Sequence, residues 1–304
     1  MIAMQHVNGQ EVIKSTYTYK TIGDLKIQAD VYRKPDDIVQ PAIFWIHGGA
    51  LIMGNRRGLN PVQAEKYLNA GYTIISIDYR LAPQVKLKQI IEDIEDAYRW
   101  IRTEGPILFR IDPDRIAVVG HSAGGYLALM AGFILKPSPL AVVSFYGYGD
   151  IVGEWYSRPD PFYNLQPSVT KEEAYQAVGT RVISDDQSGN RGRFYLYCRQ
   201  KGLWPLEVTG IDPVNEPSLF DRFCPLRNVT KDYPPTLLLH GDNDTDVPYV
   251  QSALMAKEFE RNGIHYELIS LKGRGHGFDA TMGDPEIAAT FERVLKFLEQ
   301  WINP

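Results

Sequence analysis

One serine in the sequence lies in a motif that suits a nucleophile. Ser122 is the central residue of GHSAG (120–124), between the apolar run RIAVVG (115–120) and the helical pattern YLALMAGFIL (126–135). A serine in a sharp strand-to-helix turn presents its hydroxyl above the sheet edge, and the helix N-terminus directs N–H groups to the same point. This context, more than the G-x-S-x-G pattern alone, predicts a nucleophile rather than a structural turn.

A serine nucleophile needs a base, and imidazole suits that role because its pKa lies near neutral pH. His276 lies in the glycine-rich segment GRGHGFD (273–279), which follows the last predicted strand and can bring the ring over the sheet edge. We therefore predict His276 as the base. The other histidines are predicted to be structural: His6, His47, His121, His240 and His265.

The acid that orients the base is sought at the end of a strand, between the serine and the histidine in chain order. The segment HGDNDTDVP (240–248) contains three candidates, of which we choose Asp244, with room for one helix and one strand before His276. Asp242 and Asp246 are predicted to be loop-forming residues that bond nearby backbone. The expected role of Asp244 is to select the histidine tautomer and to stabilise the imidazolium.

Acyl transfer to a serine passes through a tetrahedral oxyanion, which requires backbone N–H donors directed at that oxygen. The segment HGGA (47–50) directly follows the predicted strand AIFWI (42–46), and glycine permits the tight turn and the close approach of a substrate. We predict Gly49 and Ala50 as donors, together with Ala123, the residue after the nucleophile.

These residues are separated by alternating strand and helix patterns, which predict an α/β fold with a mostly parallel central sheet and helices on both faces. Two early runs near 12–20 and 25–32 alternate apolar and polar residues and predict an antiparallel entry to the sheet. The six continuous apolar runs that predict the central strands are AIFWIH (42–47), TIISID (73–78), RIAVVG (115–120), LAVVSFY (140–146), TLLLHG (236–241) and YELISL (266–271).

The alternation stops between residues 149 and 232, which we interpret as an inserted cap or lid over the site. The insertion contains a predicted capping box at Thr170 and Glu173, and it is rich in aromatic residues, of which we nominate Tyr195 and Trp204 as substrate contacts. The alternative is that these aromatics form only a small satellite core. Whether they also form a homodimer surface is left open.

Composition narrows the function classes. The formal net charge is −5 and there is no dense block of Lys and Arg, which disfavours nucleic acid as a partner. No apolar run reaches the length of a membrane span, and no basic segment followed by an apolar one begins the chain, which predicts a cytoplasmic protein. Cys198 and Cys224 lack metal-ligand spacing, so we predict free thiols and no metal site.

Taken together, the motifs resemble those of the hormone-sensitive-lipase-like carboxylesterases and related bacterial feruloyl-esterase-like esterases. The blocks that carry the resemblance are IHGGALIMG (46–54), SIDYRLAP (76–83), VVGHSAGG (118–125), PPTLLLHGDNDTDVP (234–248) and GHGF (275–278). The resemblance implies an α/β-hydrolase fold whose catalytic domain comprises residues 1–148 and 233–304, with 149–232 inserted. It also implies a cofactor-free serine esterase acting on small esters of short to medium acyl chain length.

Two departures from the family pattern bear on the substrate. The loop reads HGGA where the lipase-like branch usually has HGGG, and the segment before the first strand is short while the insertion is long. An aryl formamidase or an aminoacyl peptidase would use the same residues and remains an alternative. A non-catalytic ligand-binding protein is a further alternative, disfavoured because all three predicted catalytic residues are present.

Overall fold

The computed structural model describes residues 2–7 and 10–303 of the chain. Its strands are β1 (Ile2–Val7), β2 (Gln10–Ile22), β3 (Leu25–Arg33), β4 (Gln40–Ile46), β5 (Thr73–Ile77), β6 (Ile111–His121), β7 (Ala141–Phe145), β8 (Thr236–Gly241) and β9 (Tyr266–Leu271). Its helices are α1 (Pro61–Asn69), α2 (Leu87–Phe109), α3 (Ala123–Ile134), α4 (Glu154–Ser157), α5 (Lys171–Val178), α6 (Gly192–Lys201), α7 (Trp204–Thr209), α8 (Val250–Asn262) and α9 (Pro285–Ile302). Short 3₁₀ turns occupy Arg56–Gly58, Tyr163–Leu165, Pro217–Phe223, Pro225–Arg227 and Phe278–Ala280.

The strands form one sheet, whose order across the described residues is β1-β2-β3-β5-β4-β6-β7-β8-β9. The strands from β5 to β9 in that order pair in parallel, whereas β1, β2 and β3 enter in antiparallel fashion. The predicted mostly parallel sheet is therefore confirmed. Because parallel strands share one carboxyl edge, the loops after β4, β6, β8 and β9 emerge on the same side.

Side chains that alternate along the buried strands pack against helices on both faces of the sheet. In β4, Phe44 belongs to one apolar cluster, which includes residues of α2, α3 and α8. Its neighbours Ile43 and Trp45 belong to the other, which includes residues of α1 and α9. A strand that is buried on both faces requires the continuous apolar sequence seen in each central strand.

The insertion (149–232) packs on the face that carries α2 and α3. Its buried aromatics, including Tyr156, Phe194 and Trp204, belong to the same apolar cluster as Phe44 of β4. They are therefore continuous with the main core. The capping box at the start of α5 is present as predicted, with Thr170 and Glu173 each bonding the other's backbone N–H.

The segment after β5 is held by a buried ion pair. Arg80 donates from its backbone N–H and its guanidinium to the carboxylate of Asp93 in α2, at 2.8–3.0 Å. Asp93 is fully buried, and Lys20 reaches the same carboxylate at 2.7 Å. In the adjoining position, Tyr79 donates its hydroxyl to the carbonyl of His47 at 3.0 Å. Because Tyr79 and Arg80 are consecutive, the ion pair holds Tyr79 where it can bond the loop that follows β4.

Within the described residues, no helix combines the length and the apolar character that crossing a membrane would require. The same part of the chain contains no group of three or more His, Cys, Asp or Glu side chains arranged to hold a metal ion. Cys198 and Cys224 are buried and free.

Replacing Asp93 with alanine is expected to lower the free energy of unfolding by about 3–5 kcal/mol, because Arg80 remains buried without its partner. The matched change, Asp96→Ala, removes a half-buried carboxylate that pairs with Lys20 and Arg99, and should cost less than about 1 kcal/mol. Urea unfolding of both variants measures the difference. Equal losses in the free energy of unfolding would show that the buried pair stabilises the protein no more than the half-buried one.

Candidate active site

Ser122 lies in a strained turn between β6 and α3. Its backbone angles, φ 56° and ψ −120°, are ones that non-glycine residues rarely adopt, and its N–H donates to the carbonyl of Phe145 at 2.9 Å. The flanking glycines leave room for this turn: a Cβ on Gly120 would lie 2.0 Å from the carbonyl oxygen of Gly124, and one on Gly124 would lie 2.1 Å from that of Ile46. The GHSAG motif thus needs both glycines.

The three residues predicted as nucleophile, base and acid form one hydrogen-bonded chain. The His276 ring lies with Nε2 3.0 Å from Ser122 Oγ and with Nδ1 2.8 Å from Asp244 Oδ2. Asp244 follows β8, and His276 follows β9, so the parallel topology brings them to the edge where Ser122 lies. An imidazole held in this way can accept a proton from the serine hydroxyl.

The Asp244 carboxylate is fully buried but well supplied with donors. Its Oδ1 accepts from the backbone N–H groups of Asp246 and Val247, each at 2.9 Å, and His240 Nε2 lies 3.3 Å from Oδ2. Burial alone would raise the pKa of Asp244, but the bonds with His240 and His276 outweigh it and hold that pKa well below its usual range. Asp244 is therefore charged at neutral pH.

The pKa of His276 is shifted in the opposite direction. Burial would lower the pKa of the ring, but the bond to Asp244 and the negative charge of Asp246 together raise it above its ordinary value of 6.5. The site thus favours the imidazolium, which is the form the ring takes after accepting a proton from Ser122.

The loop after β4 contributes backbone to the same pocket. Gly48, Gly49 and Ala50 line it together with Ser122. Gly49 has φ 105°, and a Cβ there would lie 2.2 Å from the carbonyl oxygen of Met53, so only glycine fits. Ala123 is the buried first residue of α3, a position where backbone N–H groups have no acceptor within the helix.

The histidine of the HGGA loop is structural in geometry, in line with its predicted role. The His47 ring stacks on Tyr79 with centroids 4.2 Å apart, and its Nδ1–H donates to the carbonyl of Gly48 at 2.6 Å. Burial lowers the pKa of His47 to about 4. The ring is therefore neutral at physiological pH and cannot exchange protons readily there.

Side chains of the insertion donate hydrogen bonds to main-chain carbonyls of the loop after β4. Trp204 donates its indole N–H to the carbonyl of Ala50 at 2.9 Å, and Arg191 donates to the carbonyl of Ile52 in this loop and to that of Ala82 in the segment after β5. Trp204 is fully buried and lies outside the pocket lining. The prediction that Trp204 contacts the substrate does not fit this position, because its indole bonds the backbone of the loop and does not reach the pocket.

The second nominated aromatic residue, Tyr195, does line the pocket. It donates its hydroxyl to Asp246, a residue for which the sequence predicts only a loop-forming role. Asp246 also lines the pocket, and its Oδ2 lies 3.4 Å from His276 Nε2. The sequence shows that Asp246 lies two residues after Asp244, close to the predicted acid. It does not show that the Asp246 side chain enters the pocket, because side-chain direction in an irregular loop does not follow from spacing.

Two neighbouring cavities lie at the site, and Ser122 lines the smaller one. The pocket that contains Ser122 and His276 has a volume of about 260 Å³, and the second cavity has about 500 Å³. They share the lining residues Gly48, Gly49, His121, Tyr146 and Gly277. Asp279 fixes the wall between them by accepting from the Tyr146 hydroxyl and from Gln63, and it lies 3.1 Å from His121 Nε2.

The His276 ring is expected to titrate above pH 6.5 in the unmodified protein and at a lower pH in Asp244→Asn, because the variant lacks the charge that favours the imidazolium. NMR of the ring nitrogens across a pH series measures this. Asp242→Asn is the matched control, since that carboxylate accepts from the Gly273 N–H instead. An unchanged titration in Asp244→Asn would contradict the geometry.

Comparison with known sequences agrees with the fold that the motifs predict. The family described as alpha/beta hydrolase fold matches residues 43–280, a range that includes Ser122, Asp244 and His276. Non-reducing polyketide synthase Preu6 from Preussia isomera is 31% identical over 316 residues, covering 90% of this chain and 14% of that protein. The chain spans only 12–14% of the length of four such polyketide synthases that it matches.

Solved structures share the fold. A protein of unknown function from Staphylococcus aureus subsp. aureus Mu50 superposes with a TM-score of 0.78 at 23% identity, covering 95% of this chain and 99% of that one. The acetyl ester-xyloside bifunctional hydrolase from Caldicellulosiruptor lactoaceticus gives 0.70 at 19% identity, covering 94% and 96%. The fold that the motifs predicted is confirmed, and the chain belongs to the α/β-hydrolase fold family.

Proposed function

We propose that this protein is a serine carboxylesterase that hydrolyses esters of short to medium acyl chain length through an acyl-enzyme. The observation that carries the proposal is the chain of hydrogen bonds from Asp244 through His276 to Ser122, whose hydroxyl opens into a pocket. Membership of the α/β-hydrolase family supports it. The name of the structurally similar Caldicellulosiruptor protein, acetyl ester-xyloside bifunctional hydrolase, is in keeping with an ester substrate.

In the first half of the proposed reaction, Ser122 Oγ forms a bond to the ester carbonyl carbon while its proton passes to His276 Nε2. Asp244 stabilises the imidazolium from the opposite side of the ring. The tetrahedral intermediate then breaks its bond to the alcohol oxygen, which takes the proton back from Nε2. The acyl group remains on Ser122 as an ester.

In the second half, His276 accepts a proton from water as the water oxygen attacks the acyl carbon. Collapse of the second intermediate returns that proton to Ser122 Oγ and releases the carboxylic acid. Backbone N–H groups of Gly49, Ala50 and Ala123 are the proposed donors to the oxyanion in both halves. One such donor is typically worth about 2.7–4 kcal/mol of transition-state stabilisation.

The size of the cavities supports small substrates. An ester divides at its carbonyl into an acyl part and an alcohol part, and two neighbouring cavities of about 260 and 500 Å³ with shared lining residues offer space for them. Ligand pockets for small molecules commonly measure about 300–1,000 Å³. A long fatty acyl chain would extend beyond this space into solvent.

Hydrolysis of p-nitrophenyl esters from acetate to palmitate tests the proposal. We expect activity that is highest with the short chains and that falls by about 10³-fold or more in Ser122→Ala, because the nucleophile is lost. Ser157→Ala is the matched control, since that hydroxyl donates to a carbonyl within the insertion. If Ser122→Ala retained the ester activity, the proposal would be wrong. If no ester were cleaved, formamides and aminoacyl amides would be the substrates to assay next.

Replacing Trp204 with phenylalanine is expected to lower kcat by a similar factor, about fivefold, for every ester, because the Ala50 carbonyl loses its donor while the aromatic packing is largely kept. Trp155→Phe removes a comparable indole bond, to Asp150, away from this loop and serves as the control. Steady-state kinetics on two chain lengths distinguishes the possibilities. A change in chain-length preference would instead support the original assignment of Trp204 as a substrate contact.

A further inference from the structure

Asp246 places a carboxylate oxygen in the pocket beside the reacting groups. Its Oδ1 accepts from the hydroxyl groups of Tyr163 and Tyr195 and from Arg199. Its Oδ2 accepts no hydrogen bond from the described residues and lies 3.4 Å from His276 Nε2. The side chain is 20% exposed. One oxygen is therefore fixed in place, and the other is available to a ligand.

The charges around Asp246 do not cancel. Arg199 is buried to 1% exposure and pairs with two carboxylates, those of Asp160 and Asp246. The guanidinium is enclosed by aromatic rings, with the centroid of Tyr163 4.6 Å and that of Tyr156 5.0 Å from its central carbon. Even with the imidazolium form of His276 and its partner Asp244 included, three negative charges face two positive charges, which leaves an excess negative charge. Asp246 is the member of the trio that lines the pocket.

The position of Asp246 relative to His276 identifies which half of the substrate it meets. In the proposed reaction, Nε2 returns its proton to the departing alcohol oxygen, which must lie within hydrogen-bond distance of that nitrogen. Asp246 Oδ2 is 3.4 Å from the same nitrogen. The carboxylate therefore lies beside the alcohol part of the ester, close to the atoms next to the ester oxygen.

We propose that Asp246 determines specificity for the alcohol part of the substrate. Its free oxygen accepts a hydrogen bond from a hydroxyl group, or attracts the positive charge of an ammonium group, carried close to the ester oxygen, and it repels an alcohol part that carries a carboxylate. The preferred substrates are thus esters of polyols or of amino alcohols rather than of simple alkyl alcohols. This inference rests on the proposed esterase function.

Acetate esters of matched shape test the inference. Acetylcholine is compared with 3,3-dimethylbutyl acetate, its uncharged carbon counterpart, and 2-hydroxyethyl acetate is compared with propyl acetate. The unmodified protein is expected to have the higher kcat/KM for the first ester of each pair. In Asp246→Asn the ratio of kcat/KM for acetylcholine to that for its neutral counterpart should fall about tenfold, because the charge is lost while the shape is kept.

Asp242→Asn is the matched control, because it removes a carboxylate from the same loop. The Asp242 carboxylate accepts from the Gly273 N–H and does not line the pocket. The Asp242→Asn ratio should equal that of the unmodified protein. The ratio compares two substrates in one preparation, so a smaller folded fraction in a variant lowers both rates equally and leaves it unchanged. An Asp246→Asn ratio equal to that of the unmodified protein would overturn the inference while leaving the esterase proposal intact.

A second measurement needs no variant. Tetramethylammonium should inhibit hydrolysis of propyl acetate competitively in the unmodified protein, at about tenfold lower concentration than tert-butyl methyl ether, which has a similar size, no charge and no hydrogen-bond donor. Inhibition at equal concentrations would overturn the inference even if Asp246→Asn does not fold. Cleavage of p-nitrophenyl esters but of none of these four acetates would overturn the inference alone, whereas failure to cleave any ester would reject the esterase proposal and this inference with it.

Discussion

The arrangement of the site depends on one buried charge, the carboxylate of Asp244. A buried carboxylate is costly unless donors surround it, and here two backbone N–H groups and two imidazole rings do so. The backbone donors fix the carboxylate relative to the end of β8. The carboxylate in turn fixes the ring of His276, so that Nε2 faces Ser122. Without that charge the ring would keep neither its orientation nor its raised pKa.

The insertion also forms hydrogen bonds with the two loops that build the site, the loop after β4 and the loop after β8. Trp204 and Arg191 bond carbonyls of the loop after β4, while Arg199 bonds Asp246 in the loop that carries the acid. The aromatic residues behind these contacts are continuous with the main core. Lifting the insertion as a lid would break these bonds and expose Trp204.

Much of the site could be predicted because local sequence determines it. Ser122 lies in a turn that two glycines make possible, and the order of strands brings His276 and Asp244 to its edge. Asp246 and Trp204 show where such reasoning ends. Which way a side chain points from an irregular loop, or from a short helix, depends on distant partners such as Arg199 and the Ala50 carbonyl, and these are not visible in spacing or composition.

The bonds between the insertion and residues 50–52 of the loop after β4 have an asymmetry that bears on how such proteins diverge. The acceptors are the main-chain carbonyls of Ala50 and Ile52, which any residue would supply. The donors are particular side chains of the insertion, Trp204 and Arg191. A change of side chain at position 50 or 52 therefore leaves these acceptors in place, whereas an insertion recombined from another protein must bring an indole and a guanidinium in register. Further along the same loop the dependence is mutual, because Asn55 and Arg57 bond the insertion through their own side chains.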